Sequence, residues 1–150
     1  MSNNEKSDTV YSQYFTIIQV VINRMAQNTF LIKAWTITLI TAILVLTFSI
    51  VNSLIFGVLL AITVIFWVLD SYYLKLERIY RRLYKTKVEE YNDNQKRKSM
   101  KLFDMDYEPY KILEQKLPRI MISKTEILFY LPVVGALICF LIISIILMIQ

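Results

Sequence analysis

The fold of this chain is decided by residues 34–69, AWTITLITAILVLTFSIVNSLIFGVLLAITVIFWVL, which contain no Asp, Glu, Lys or Arg. An α-helix rises about 1.5 Å per residue, so a helix of this length would reach roughly 54 Å. The hydrocarbon core of a bilayer is only about 30 Å thick. The stretch is therefore too long for one transmembrane helix and fits two short ones joined by a turn.

A second charge-free stretch, residues 127–150, is long enough for one further span. We predict membrane spans over residues 34–50, 54–69 and 127–149. Val51, Asn52 and Ser53 form the predicted turn between the first two, because Asn and Ser favour turns and compete with helical hydrogen bonds. The chain is thus expected to be an all-α membrane protein with a transmembrane hairpin and a C-terminal transmembrane helix.

The composition of the chain excludes several kinds of functional site. Apolar residues make up 56% of the chain, and two glycines and three prolines leave long helices unbroken. The chain has no histidine, and Cys139 is its one cysteine, so a disulfide or a Cys/His zinc site within the chain is excluded. We find no phosphate-binding glycine loop and no nucleophile motif, so we predict a protein that is not an enzyme and needs no cofactor.

Charge predicts the orientation in the membrane. Residues 70–126 hold 14 of the 17 Lys and Arg residues, and the other three precede the first span. The positive-inside rule therefore places residues 1–33 and 71–126 in the cytoplasm, and the hairpin turn and the C-terminus outside. We expect localisation to a bacterial inner membrane, with lipid as the main partner.

Apolar residues at helical spacing occur on both sides of the hairpin. Residues 1–33 carry Tyr14, Ile18 and Ile22 on one face, which indicates an amphipathic helix that packs in a bundle or lies on the membrane. Residues 71–126 carry a similar stripe through Leu83, and the helix of the second span is expected to continue into it. The two segments are predicted to form a cytoplasmic helical bundle.

The polar stretch within this segment, residues 92–109, is predicted to be a loop or hinge. Its acidic residues, Asp104, Asp106 and Glu108, either bind a divalent cation or balance the neighbouring basic residues. Their spacing lacks the glycine and the terminal glutamate of a calcium loop, which favours charge balance.

A basic face follows the second span. It comprises Lys75, Arg78, Arg82 and Lys85. Such a face is attracted to anionic lipid or to a cytoplasmic protein partner. Acidic residues interrupt it, and no nucleic-acid-binding motif accompanies it, so nucleic acid is not expected as a partner. Glu77 and Arg81 stand four residues apart in the order that favours an ion pair.

The ends of the hairpin carry opposite charges. Lys33 precedes the first span and Asp70 follows the second, so both are predicted at the same membrane boundary. They either pair with each other or anchor the two helices separately. Aromatic residues lie near the same boundary and are typical of the interfacial belt of membrane proteins. These are Trp35, Trp67, Tyr72 and Tyr73.

Small residues indicate where helices could approach each other closely. Gly57 and Ala61 lie four residues apart on the second span, and Gly135 lies on the third. Three spans are too few to enclose a pore, so any conduction would require several copies. A conducting form of this protein is therefore expected to be a homo-oligomer.

Residues 23–35, NRMAQNTFLIKAW, and residues 66–74, FWVLDSYYL, with Glu77 and Arg78, resemble a family of small bacterial multi-pass membrane proteins of no established activity. The layout is also similar to that of two-span membrane effectors of anti-phage defence systems. That similarity implies an oligomer that perturbs the inner membrane when a cytoplasmic partner triggers it. The alternative is a membrane anchor or scaffold that recruits a cytoplasmic complex through residues 74–121.

Overall fold

The structure is a computed structural model that describes residues 3–47 and 53–149, and the side chains of residues 8–47 and 53–146. Within these ranges the chain is all-helical and contains no strand, with 87% helix. The helices are α1 (Asn3–Leu46), α2 (Ser53–Asn92), α3 (Asn94–Ser99), α4 (Glu108–Lys111), α5 (Leu117–Met121) and α6 (Lys124–Ile149).

Three of these helices, α1, α2 and α6, are long and apolar enough to cross a membrane. Their most apolar windows have mean hydropathies of 2.0, 2.4 and 2.7. The prediction that the chain has three helices able to span a membrane is confirmed by their length and composition. Of the predicted hairpin turn, Val51 and Asn52 lie outside the described residues, as does the end of the first predicted span, whereas Ser53 begins α2.

The long helices are continuous beyond the predicted spans. The amphipathic segment and residues 34–46 of the first predicted span lie in the single 44-residue helix α1, because no glycine or proline precedes Gly57. Helix α2 likewise runs unbroken for 40 residues, so the second span continues as helix into the predicted stripe. Pro132 lies inside α6.

The chain divides into two compact units, and the division falls within α1 and within α2. The first unit comprises Met1–Gln27 and Tyr73–Gln115, and the second comprises Asn28–Tyr72 and Lys116–Gln150. Each unit has an apolar core of its own, and each is described separately below.

The core of the first unit consists of the fully buried Tyr14, Ile18 and Leu83. Tyr14 and Ile18 come from α1, and Leu83 comes from the stripe on α2, so the two predicted apolar faces pack together. Met100 and Met105, from the segment after α3, close the same cluster. The hydroxyl of Tyr14 donates to the carbonyl oxygen of Asp104 at 2.6 Å.

The prediction of a loop over residues 92–109 was wrong for α3, which lies inside it. Asp93 begins this helix as its N-cap, since its side chain accepts hydrogen bonds from the backbone N–H groups of Gln95 and Lys96. The Gln95 hydrogen bond is the main reason that the pKa of Asp93 is lowered. Further along, the carboxylates of Asp104 and Asp106 each accept a backbone N–H two residues ahead.

The core of the second unit takes one residue from each long helix. Ile40, Leu59 and Leu137 are buried together. Thr36 and Thr63 of the same unit are fully buried, and each hydroxyl donates to the carbonyl oxygen four residues earlier in its own helix. The buried residues of this core are thus aliphatic, and the two buried hydroxyl groups are bonded within their own helices.

Candidate functional site

The candidate site is a buried ion cluster in the second unit. Lys33 lies on α1, and its Nζ forms an ion pair with Oδ2 of Asp70 on α2. Asp70 is fully buried, and the Lys33 side chain is 18% exposed. Of the two alternatives considered for these residues, the structure thus has the direct pair.

A second carboxylate completes the cluster. Oε1 of Glu126, in the first turn of α6, lies 3.0 Å from Nζ of Lys33. Glu126 is also fully buried. One ammonium group therefore bridges two carboxylates, and the three charged residues come from the three long helices. The ion cluster consists of Lys33, Asp70 and Glu126.

Two hydroxyl groups bind the carboxylates. The hydroxyl of Tyr130 donates to Oδ2 of Asp70 at 3.0 Å, and Oγ of Ser71 donates to Oε2 of Glu126 at 3.4 Å. Both residues are fully buried. Hydrogen bonds to an ionised group contribute more than neutral ones, so these hydroxyl groups offset part of the cost of burying the two acids.

Aromatic rings cover the cluster. The centroids of the Phe129 and Tyr130 rings lie 5.7 and 5.8 Å from Nζ of Lys33, within the range of cation–π attraction. Trp67 stacks on Tyr130 with the ring centroids 5.4 Å apart, and its indole N–H donates to the carbonyl oxygen of Met121 at 3.2 Å. These contacts fix the Tyr130 ring and exclude water from the acids.

The charges of the cluster do not balance. With both acids ionised, Lys33 supplies one positive charge against two negative charges. Within the described part of the chain, Oδ1 of Asp70 is buried and has no hydrogen-bond partner. A buried, uncompensated charge is expensive in protein and more so in lipid, and such groups at membrane depth are typical of functional sites.

The residues of the predicted aromatic belt differ in how exposed they are. Trp35 and Tyr72 are about half exposed, with 57% and 49% of their surface accessible, as a lipid- or headgroup-facing ring would be. Tyr73 is partly buried. Trp67 instead packs inside the second unit, where it contacts Tyr130 and Met121 and links α2 to α5 and α6.

The predicted basic face of the first unit is partly paired. Arg82 lies 3.1 Å from a carboxylate oxygen of Glu114, and the exposed Lys85 lies 4.0 Å from Glu89. Lys75 and Arg78 are partly buried. The predicted pair of Glu77 and Arg81 is confirmed, with 2.7 Å between the charged atoms.

Among the residues that the structure describes, Gly57 and Gly135 make no close contact with a neighbouring helix. A Cβ atom built on Gly57 or on Gly135 would meet no neighbouring heavy atom within 4 Å in the described structure. Ala61 is exposed. The packing role predicted for these residues is thus available to a second copy or to lipid.

Sequence reasoning missed Glu126 and Tyr130. Glu126 is the last charged residue before the third span, and it mirrors Lys33 and Asp70, which flank the first two. That position was the available signal. Tyr130 left no such signal, because a tyrosine near the start of a span is equally typical of the interfacial belt.

Comparisons with known protein families, with curated proteins and with solved structures found no match to this chain.

Proposed function

We propose that this chain is an inner-membrane effector of a bacterial defence or stress system. Several copies assemble, and a cytoplasmic partner triggers them to make the membrane permeable. In this proposal residues 1–33 and 71–126 face the cytoplasm, as the distribution of Lys and Arg favours. The observation that carries the proposal is the ion cluster of Lys33, Asp70 and Glu126 on three helices that are apolar enough to span the membrane.

The ion cluster supplies a mechanism for permeabilisation. While Lys33 bridges the two acids, the three helices stay packed around the cluster and lipid meets mainly aliphatic side chains. If the three helices separate at the cluster, each charged group must recruit water or thin the bilayer around it. Such hydrated defects pass ions. The packed cluster is therefore the closed state of the proposed effector, and its separation is the open state.

The exposed faces of the long helices support assembly. Gly57 on α2 and Gly135 on α6 leave open space beside the backbone, where another helix could approach closely. The core of each copy is already filled by Ile40, Leu59 and Leu137, so a conducting path would have to lie between copies. Helices α1 and α2 continue from the first unit into the second, which gives a partner bound to the first unit a covalent route to the cluster.

The experiment that tests this function is controlled expression in bacteria with a dye that reports membrane potential. We expect the wild-type chain to depolarise cells when it is highly expressed, and Lys33→Glu to do so at lower expression, because it places three acids together. Lys124→Glu is the matched control, since Lys124 is exposed at the start of α6. Membrane-fraction yields must be comparable for all three. Normal growth with an unchanged potential at high expression would contradict the effector.

A second candidate function, a membrane anchor that holds a cytoplasmic complex, is favoured by one observation. In the first unit, Ile112 and Leu113 are 85% and 63% exposed directly after α4. Adjacent exposed aliphatic side chains suit a protein partner. The anchor predicts stable co-purification with a soluble protein, loss of that protein with Leu113→Lys, and no toxicity of the chain alone.

Mass determination after purification in mild detergent separates the two functions. A closed ring of identical copies supports the effector. A defined complex with a different, soluble chain supports the anchor.

A further inference from the structure

The charged and titratable groups at the ion cluster can be counted helix by helix. Helix α1 contributes Lys33, α2 contributes Asp70, and α6 contributes Glu126 and the phenol of Tyr130. The phenol is a neutral hydrogen-bond donor here, so the cluster has one positive group and two acids. If both acids are ionised, the cluster carries one net negative charge in an apolar surrounding.

The hydrogen bonds of the two carboxyl groups show where compensation is missing. Both oxygens of Glu126 have partners, Lys33 at 3.0 Å and Ser71 at 3.4 Å. Oδ2 of Asp70 accepts from both Lys33 and Tyr130. Oδ1 of the same group has no partner among the residues that the structure describes, although Asp70 is fully buried. The cluster thus has a bare, buried carboxylate oxygen and an excess negative charge in the same place.

A proton removes the excess negative charge, and a neutral carboxyl group costs far less to bury than a carboxylate. The proton adds the missing positive charge, and unlike a metal ion it requires neither a cavity nor a set of ligands. One proton neutralises the cluster whichever of the two carboxyl groups carries it, so we assign the proton to the pair and not to one residue. We propose that the cluster binds one proton, shared between the carboxyl groups of Asp70 and Glu126, so that its packed state carries no net charge.

This inference deepens the function proposed above and rests on it for the membrane surroundings of the cluster. Loss of the proton would leave the net negative charge that favours hydration and separation of the helices. The proton is then the ligand that holds the effector closed, and a rise of pH at the cluster favours the open state.

The test is infrared spectroscopy of the purified full-length protein in lipid nanodiscs over a range of pH. A protonated carboxyl group has a carbonyl stretch that an ionised carboxylate lacks. We expect the wild-type protein to show this band at neutral pH and to lose it when the pH is raised. Asp70→Asn and Glu126→Gln each leave one acid opposite Lys33, a neutral pair without a proton, so both variants should lack the band.

A third variant changes the band in the opposite direction. Lys33→Met leaves two acids with no cation, so we expect both to be protonated and the band to grow about twofold, as neutralisation in lipid requires. A variant that merely failed to fold would not produce this increase. Glu77→Gln is the matched control, because Glu77 is a buried acid with its own partner, Arg81, in the first unit. It should keep the wild-type band.

A wild-type protein that is folded in nanodiscs but shows no such band at neutral pH would overturn the proposed proton. A thermal midpoint that depends on Na⁺ or K⁺ concentration in place of pH would also overturn it, by assigning the charge to a metal ion. Failure of the effector function is distinguishable, because a chain that never depolarises cells could still show the band and its changes in the three variants.

Discussion

The hydroxyl of Tyr130 on α6 lies 3.0 Å from Oδ2 of Asp70 on α2, and neither residue is exposed. This bond joins the third long helix to the second at the oxygen that also binds Lys33. The Tyr130 ring is held in turn by stacking on Trp67. One buried acid thus organises contacts among all three long helices.

Removing this donor should weaken the second unit. Tyr130→Phe keeps the ring and its stacking but deprives a buried carboxylate of a hydrogen bond, so we expect a loss of about 1–3 kcal/mol in the free energy of unfolding. The measurement is thermal or denaturant unfolding in detergent, followed by tryptophan fluorescence. Tyr84→Phe is the control, because its hydroxyl accepts an exposed hydrogen bond from Gln19. Equal stability of both variants would argue against a contribution from the buried bond.

Exchanging the charges of Lys33 and Asp70 tests whether they act as a pair. Lys33→Asp gathers three acids and Asp70→Lys gathers two cations around Glu126, so each should cost about 3–5 kcal/mol, as expected when a buried pair is broken. The double variant restores one cation and two acids. We expect it to recover much of the yield in the membrane and of the thermal midpoint. If the double variant is no better than the worse single variant, the direct pair does not stabilise the protein.

Tyr14 should make the first unit sensitive to alkali. Burial, with a smaller effect of the Asp104 charge, raises the pKa of Tyr14 from 10.0 to about 12. The folded state therefore holds this proton more tightly than the unfolded state. The stability that this difference in the pKa of Tyr14 contributes is complete below pH 10 and is lost as the pH rises from about 10 towards 12.

The measurement compares unfolding of the wild-type chain and Tyr14→Phe across this pH range. The variant loses the hydrogen bond to Asp104 at every pH, but its stability should fall less steeply between pH 10 and 12. Tyr91→Phe, whose hydroxyl makes an exposed hydrogen bond to Asp8, is the control and should retain the wild-type slope. Parallel pH profiles for the wild type and Tyr14→Phe would refute the prediction.

Gly57→Leu should weaken assembly between copies without destabilising the fold of a single copy. A Cβ atom at this position meets nothing within 4 Å, and leucine favours helix over glycine by roughly 0.5–1 kcal/mol. We therefore expect an unchanged or slightly higher thermal midpoint, with a smaller particle mass in mild detergent because the larger side chain blocks close contact between copies. Ala42→Leu enlarges an exposed residue on α1 and is the control. An oligomer of unchanged mass in Gly57→Leu would remove this glycine from the interface.

Two residues of the ion cluster, Lys33 and Asp70, could be predicted from the sequence, whereas Glu126 could not. The charge-free stretches placed Lys33 and Asp70 at the ends of the hairpin, and that proximity suggested the pair. Glu126 is 93 positions from Lys33, and its arrival at the same ammonium group depends on how α6 is rotated about its axis. Charge patterning carries no information about that rotation. The short helix α3 was not predicted, because the polar composition of residues 92–109 indicated a loop and the role of Asp93 as an N-cap was not recognised.

Amino-acid composition alone is enough to identify three helices of this chain as long and apolar enough for a membrane. Transfer of a side chain into lipid depends mainly on its own chemistry, so the free energies of a stretch of residues add without knowledge of the fold. The bridge from Lys33 to Asp70 and Glu126, and the hydrogen bond from Tyr130, are visible only in the packed arrangement of the helices. Those contacts follow from the mutual rotation and register of helices far apart in the chain, which side-chain packing fixes after the spans have formed.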